Sequence, residues 1–188
     1  MKRTLAYLAG VSLLLWSVTS WSDEYSDTVA LFKNAGASSS FFGNSYGYAV
    51  FPTIGKGGLG IGGAHGKGRV YKQGKYVGDS SVTQVTVGLQ AGGQAYSQII
   101  FFQDQRAFDE FTNGNFEFGA DASAVAITAA AGASAGTSGS SAGASGGKKD
   151  ATTAGNYHKG MAVFTIVKGG AMYQATLGGQ KYKYKPKS

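Results

Sequence analysis

Between residues 58 and 68 every even position is glycine or alanine: Gly58, Gly60, Gly62, Ala64, Gly66 and Gly68. The odd positions carry Leu59, Ile61, Gly63, His65, Lys67 and Arg69, and Tyr71 follows in phase. A period of two is the repeat of a β-strand. The chain must therefore accommodate a long strand with one face almost bare of side chains. Such a face lets another element approach to backbone distance. A helix packed on the sheet is the predicted occupant, with a ligand groove as the rival reading. The run Gly55-Lys56-Gly57-Gly58-Leu59-Gly60 also satisfies G-x-G-x-x-G. A dinucleotide loop, however, needs a helix directly after it to hold the pyrophosphate, and the strand period leaves no room for one. A Walker A loop fails as well, because Gly66-Lys67 is followed by Gly68 and Ile61 stands where the first glycine belongs. No nucleotide partner is expected.

The remaining chain has the texture of a mainly β protein. Tyr25, Val29 and Phe32 recur at helical spacing within residues 24–34, which predicts a short amphipathic helix with a packing role. In residues 82–89, Thr83, Val85, Val87 and Leu89 share one face while Gln84 and Thr86 look away, so this strand is read as half-buried. Residues 99–102 are apolar on both faces and are placed deeper. Asp104 is positioned to cap a helix that turns Ala107, Phe108 and Phe111 inward and ends at Asn113-Gly114. Strand texture resumes at residues 115–118. Gly47-Tyr48-Ala49-Val50-Phe51, followed by Lys56-Gly57-Gly58, is echoed by Gly160-Met161-Ala162-Val163-Phe164, followed by Lys168-Gly169-Gly170. The fold class expected is α+β and mainly antiparallel: a single twisted sheet or partly closed barrel with pseudo-repeated hairpins and a few short helices.

Two segments stand apart from that domain. Lys2 and Arg3, an apolar run over residues 5–18 and Ser20-Trp21-Ser22 read as a secretory signal peptide over residues 1–22. Residues 132–147 consist almost wholly of Gly, Ala, Ser and Thr, and a disordered loop is expected at about 132–155. The rest of residues 23–188 is read as one domain. The sequence contains no cysteine, which excludes a disulfide scaffold and fits export to a bacterial periplasm.

Catalytic and metal-binding constellations are scarce. His65 and His158 are the only histidines, neither has a second ligand near it in sequence, and no G-x-S-x-G elbow occurs. A non-catalytic protein without cofactor or metal is expected. Charge is more informative. The formal net charge of +7 includes Lys2 and Arg3 of the leader, leaving +5 for the remainder. Lys56, Lys67, Arg69, Lys72 and Lys75 fall within one stretch that has no acidic residue, and the chain from Lys159 onward adds lysines without an acid. Together these segments suggest a basic patch for an anionic surface. For Lys181, Lys183 and Lys185, which alternate with Tyr182 and Tyr184, protection of an edge strand is the competing explanation.

The combination of Gly47-Tyr48-Ala49-Val50-Phe51-Pro52, Lys56-Gly57-Gly58, Gly66-Lys67-Gly68, Gln90 to Gln94 with Tyr96, Phe118-Gly119-Ala120 and Leu177-Gly178-Gly179-Gln180-Lys181 resembles the SYLF family of lipid-binding domains, in its exported bacterial branch. The resemblance implies binding to phospholipid membranes, with phosphoinositide ligands, and for some members actin, in eukaryotes. The tryptophan-serine element common in eukaryotic members is missing where Tyr76-Val77-Gly78-Asp79-Ser80 stands, and the acidic N-terminal helix departs from their basic membrane-binding segment. The expectation is peripheral binding of anionic phospholipid through Lys56, Lys67, Arg69, Lys72 and Lys75, in the periplasm or secreted, with no nucleic-acid partner. The alternative is a structural or envelope-stress protein that binds an envelope protein partner through its glycine-faced strand or a sheet edge.

Overall fold

The structure, a computed structural model, describes residues 23–127, 157–169 and 177–188, with the side chains at 60, 86–92 and 169 left aside. The leader at 1–22 and the Gly/Ala/Ser segment expected at 132–155 lie outside the described residues. Helix α1 spans Glu24–Asn34 and α2 Phe41–Asn44. Strands β1, Gly47–Lys72, and β2, Lys75–Phe102, form a hairpin of 26 and 28 residues. Helix α3 (Gln105–Thr112), β3 (Phe116–Glu117), β4 (Val125–Ile127), β5 (Met161–Gly169) and β6 (Gln180–Pro186) follow. Both longer helices start on an aspartate. Asp23 Oδ1 accepts from the amide of Tyr25 at 3.3 Å, and Asp104 Oδ1 from that of Ala107 at 2.9 Å.

Strands this long, several times the usual five or six residues, cannot remain flat under the twist of a sheet. The glycines decide where the hairpin folds. Its register jumps between Leu59 and Ile61, and a Cβ on Gly58 would run into Ile61 O and Gly62 Cα. Past that corner, β1 returns alongside its own beginning. A Cβ on Gly66 would lie 2.9 Å from Thr53 O and 2.7 Å from Ile54 Cγ1, and one on Gly68 would lie 2.8 Å from Val50 O and 2.5 Å from the Phe51 ring. The bare face read from the sequence is thus used for close approach, but its occupant is the first half of the same strand instead of a helix. Gly66 and Gly68 are buried there, so that part of the glycine face is taken up by the chain itself, while Gly58 is exposed and Gly62 half-buried.

β2 runs through the middle of the sheet. One edge pairs with β1 throughout; along the other, Ala95–Phe102 pairs with β5 and Gly78–Gln84 with β6, all antiparallel. β4 joins β5 in parallel and β3 extends β6. The result is a curled half-barrel. Its interior is filled by side chains such as Phe51, Ile54, Ile100, Phe102 and Tyr182, with Ala107, Phe108 and Phe111 of α3 packed among them. A second cluster lies on the outer side, where Val29, Phe32 and Phe41 of α1 and α2 cover Val50, Ile99, Phe101 and Phe164. The mainly antiparallel α+β architecture expected from the sequence is the one observed.

The two copies of the sequence echo flank β2, but one residue out of step: Tyr48 lies opposite Phe101, whereas Met161 lies opposite Phe102. Ala49 and Phe51 therefore point into the barrel while their counterparts Ala162 and Phe164 point out. Residues 82–85 also differ from expectation. Val82 and Gln84 are the buried pair, and Thr83 and Val85 face solvent. The barrel interior is partly polar, which inverts the usual reading of polarity. Gln84 Nε2 donates to Gly178 O at 2.9 Å, Gln98 Nε2 donates to the Tyr182 hydroxyl at 2.6 Å, and Gln180 Nε2 donates to the Tyr96 hydroxyl at 3.1 Å.

Candidate functional site

Register determines which charges share a face. Ala64, Gln84 and Gln180 lie side by side across β1, β2 and β6, as do Gly66, Val82 and Tyr182, and both rows are buried. The alternate rows must then point outward. They read His65–Thr83–Lys181, Lys67–Ser81–Lys183 and Arg69–Asp79–Lys185. Strands in a sheet are about 4.8 Å apart, so Lys67 and Lys183, two strands apart, are separated by roughly 10 Å at the backbone. His65, Lys67, Lys181, Lys183 and Lys185 are all exposed. Among the described residues no carboxylate reaches within 4 Å of Lys67, Lys183 or Lys185; Lys181 has Glu117 Oε2 at 3.8 Å. Asp79, the one acid in these rows, accepts from the Tyr76 hydroxyl at 2.7 Å. Further along the outer surface, toward the glycine corner, stand Val85, Ile61 and Leu59, exposed to 76%, 71% and 80%.

The five basic residues singled out in the sequence part company here. Lys67 joins the lysines of β6. Arg69 is held in place: its guanidinium pairs with Asp23 at the start of α1 and lies 4.1 Å from the Tyr25 ring centre and 5.2 Å from that of Tyr76. Lys72 points its ammonium toward the rings of Tyr46 and Phe108, at 5.3 and 5.7 Å. Hydrogen bonding with the Tyr46 hydroxyl is the largest influence raising its pKa. Lys75 is exposed beside the turn, opposite Lys72. Lys56 lies on the other half of the hairpin, half-buried and opposite Gln94, and burial lowers its pKa. The structure thus brings Lys67 together with Lys181, Lys183 and Lys185. The alternation of Lys and Tyr over residues 181–185 was the signal for the β6 set, since it puts three lysines on one face wherever that strand pairs.

An arrangement of exposed lysines and apolar side chains on a β surface can attract and hold an anionic surface. Among the described residues no group of three or more His, Cys, Asp and Glu could hold a metal ion, and no helix is long and apolar enough to cross a membrane. Comparison with known proteins places the chain more firmly. It is 28% identical over 158 residues to beta cell expansion factor A of Aeromonas veronii, covering 82% of this chain and 51% of that protein. The chain therefore spans about half the length of that relative. The Ysc84 family, described as Las17-binding protein actin regulator, matches residues 83–185, more than half of the chain and most of the sheet apart from β1. With that match added to the SYLF motifs and the half-barrel, the chain belongs to the Ysc84 family of SYLF domains, a family of binding domains.

Proposed function

We propose that this domain is a peripheral binder of anionic phospholipid and that it meets the membrane with the outer face of β1, β2 and β6. The supporting observation is the convergence of Lys67, Lys181, Lys183 and Lys185 on one exposed face, with Val85 and Ile61 beyond them toward the corner. Each basic residue near an anionic bilayer contributes about 1 kcal/mol, so four acting together supply about 4 kcal/mol before any apolar contact. Binding of that strength is reversible and falls with salt. The membrane in question is that of the bacterial envelope, reached by export through the N-terminal leader.

Co-sedimentation with phosphatidylglycerol or cardiolipin vesicles, compared with phosphatidylcholine vesicles at low and high salt, tests the reading. Binding is expected only to the anionic vesicles, weakening as salt rises and in the double variant Lys67→Glu, Lys183→Glu. Equal binding to neutral vesicles, or none to any, would refute it. A protein-binding reading draws support from the same apolar side chains and from the protein partner in the family description. Under it, an envelope protein would remain bound to the double lysine variant and be released by Ile61→Ser with Val85→Ser.

A further inference from the structure

Between β3, the start of β5 and the turn that leads into β6 lies a cavity of about 200 Å³. Its walls are Phe116, Phe118, Ala122, Met161, Val163 and Leu177, all of which belong to the inner apolar cluster or pack against it. Two turns frame its mouth. In one, the amide of Ala122 donates to Gly119 O at 3.1 Å, and Ala122 O accepts from the amide of Leu177 at 3.1 Å. In the other, His158 and Met161 exchange backbone hydrogen bonds of 2.9 and 3.0 Å, with Lys159 and Gly160 between them at positive φ. Asp121 ties the turns together, its Oδ2 lying 3.5 Å from both Lys159 Nζ and His158 Nε2. The two other acids of the lining also have a cation beside them: Glu110 has Arg106 at 3.3 Å, and Glu117 has Lys181 at 3.8 Å. The cavity is thus apolar within, and none of the three acids at its rim lacks a balancing cation.

Water in such a space finds hydrogen-bond partners at the rim and none along the apolar walls, and an empty apolar cavity forfeits the dispersion contacts of the side chains that line it. An apolar guest restores those contacts. A cavity of about 150 Å³ lined by Leu, Ile and Phe admits benzene, so one of about 200 Å³ holds roughly six to eight carbons. The rim indicates which guest. Glu117 of the lining stands opposite Lys181 across β3 and β6, and Lys181 belongs to the exposed lysine face, so the mouth adjoins that face. A guest with its apolar end inside leaves its head at a rim that carries Lys159 and borders Lys181, which suits an anionic head. We infer that this cavity seats about six to eight carbons of one acyl chain. Anionic lipid and free fatty acid both present that hydrocarbon beneath an anionic head. For the lipid source the inference rests on the proposed membrane role. For the fatty acid it stands on the cavity alone, whose walls belong to the inner cluster and not to the lysine face.

The test is a titration of the methyl-labelled full chain, following the methyl groups of Met161, Val163 and Leu177 by NMR. The probes are acetate, butanoate, hexanoate and octanoate at matched ionic strength, and monomeric dihexanoyl-phosphatidylglycerol. Saturable shifts with the fatty acids, tightening about fourfold for each added methylene, support the seat and show that a free acid suffices. Saturable shifts only with the short-chain lipid support it with the lipid as source. Ala122→Phe, at a half-buried wall position, is expected to weaken octanoate binding about tenfold by filling the space. Val163→Phe fills the same space from β5, and the unfolding midpoint of each variant checks that it is folded. The seat is overturned if neither octanoate nor the lipid shifts these methyl groups, if acetate binds as well as octanoate, or if a folded filled variant titrates like the parent chain. Should Lys67→Glu with Lys183→Glu abolish vesicle binding while octanoate still shifts the three methyl signals, the seat stands without the lysine face. Vesicle binding that survives Ala122→Phe, with no methyl response to any probe in the parent chain, sinks the seat and leaves the lysine face standing.

Discussion

The same two strands carry two different outer surfaces, one on each side of the glycine corner. Where β1 and β2 leave the corner toward Gly47 and Phe102, the outward positions are Tyr48, Val50, Ile99 and Phe101, and α1 and α2 lie on them. Where they run toward the turn at residues 73 and 74, the outward positions are His65, Lys67, Ser81 and Thr83, and all but half-buried Ser81 are exposed. Both halves bury their inner face in the same core. The first half is thus sandwiched between two apolar layers, and the second, apart from the start of α1 over Arg69, is covered on one side only. Stability is concentrated where both faces are dry, and the face left wet is the one free to bind.

That division makes its largest prediction at Phe101. This side chain is fully buried on the covered half, stacked on Phe41 with ring centres 5.4 Å apart and edge-on to Phe42 at 4.9 Å. Phe101→Ala is expected to cost about 3–5 kcal/mol in denaturant unfolding. Thr83→Ala, on the bare half, should stay within about 0.5 kcal/mol. Similar losses at both sites would mean that the two halves are not covered differently. Next comes the fold at the corner. Gly68→Ala would push a methyl group to 2.8 Å from Val50 O and 2.5 Å from the Phe51 ring, and should cost about 1–3 kcal/mol. Gly55→Ala, whose methyl meets open space, should leave the unfolding midpoint unchanged or slightly raised. A destabilised Gly55→Ala beside an unaffected Gly68→Ala would place the fold of β1 elsewhere.

Much of the covered half could be read locally. Asp104 with Ala107, Phe108 and Phe111 at helical spacing announces α3 by its own chemistry, and residues 99–102 announce burial on both faces. Lys181 to Lys185 also declare their two faces, with Tyr182 inside. The corner could not be read that way. Glycine alternation gives the period of a strand but carries no local signal that the strand turns back on itself at Gly58 to Gly62. Polarity misplaces Val82, Gln84 and Val85 because the barrel holds a hydrogen-bonded glutamine and tyrosine cluster, so an inward glutamine is satisfied there and an outward valine is not. The candidate sites depend on pairings between distant segments. Lys67 meets Lys183 only through the register of β2, which carries β1 on one edge and β6 on the other. Five basic residues close in sequence were therefore spread over different surroundings, while Lys67 and the lysines of β6, far apart in sequence, converged.

The smallest predicted effect sharpens the comparison through pH. Tyr48 belongs to the covered half, and its hydroxyl is pushed up to about 12, first by burial and then by the neighbouring Tyr71, whose ring stacks on it at 5.0 Å. In the unfolded chain a tyrosine ionises near pH 10. Between about 10 and 12 the unfolded form loses this proton while the folded form keeps it, so ionisation favours unfolding as pH rises. The contribution of Tyr48 is therefore fully present below about pH 10 and is lost as the pH climbs toward about 12. Since the side chain is only partly buried, the loss is about 1–2 kcal/mol. Unfolding free energies measured across this range should fall less steeply in Tyr48→Phe than in the parent chain. Tyr76 is the control from the bare half. It is half-buried, and its pKa is raised chiefly by the hydrogen bond its hydroxyl donates to Asp79, a bond open to solvent. Tyr76→Phe is expected to change that slope less than Tyr48→Phe does. An equal change would mean that the two halves hold their tyrosines in equally dry surroundings, and the contrast between a covered and a bare half would fail.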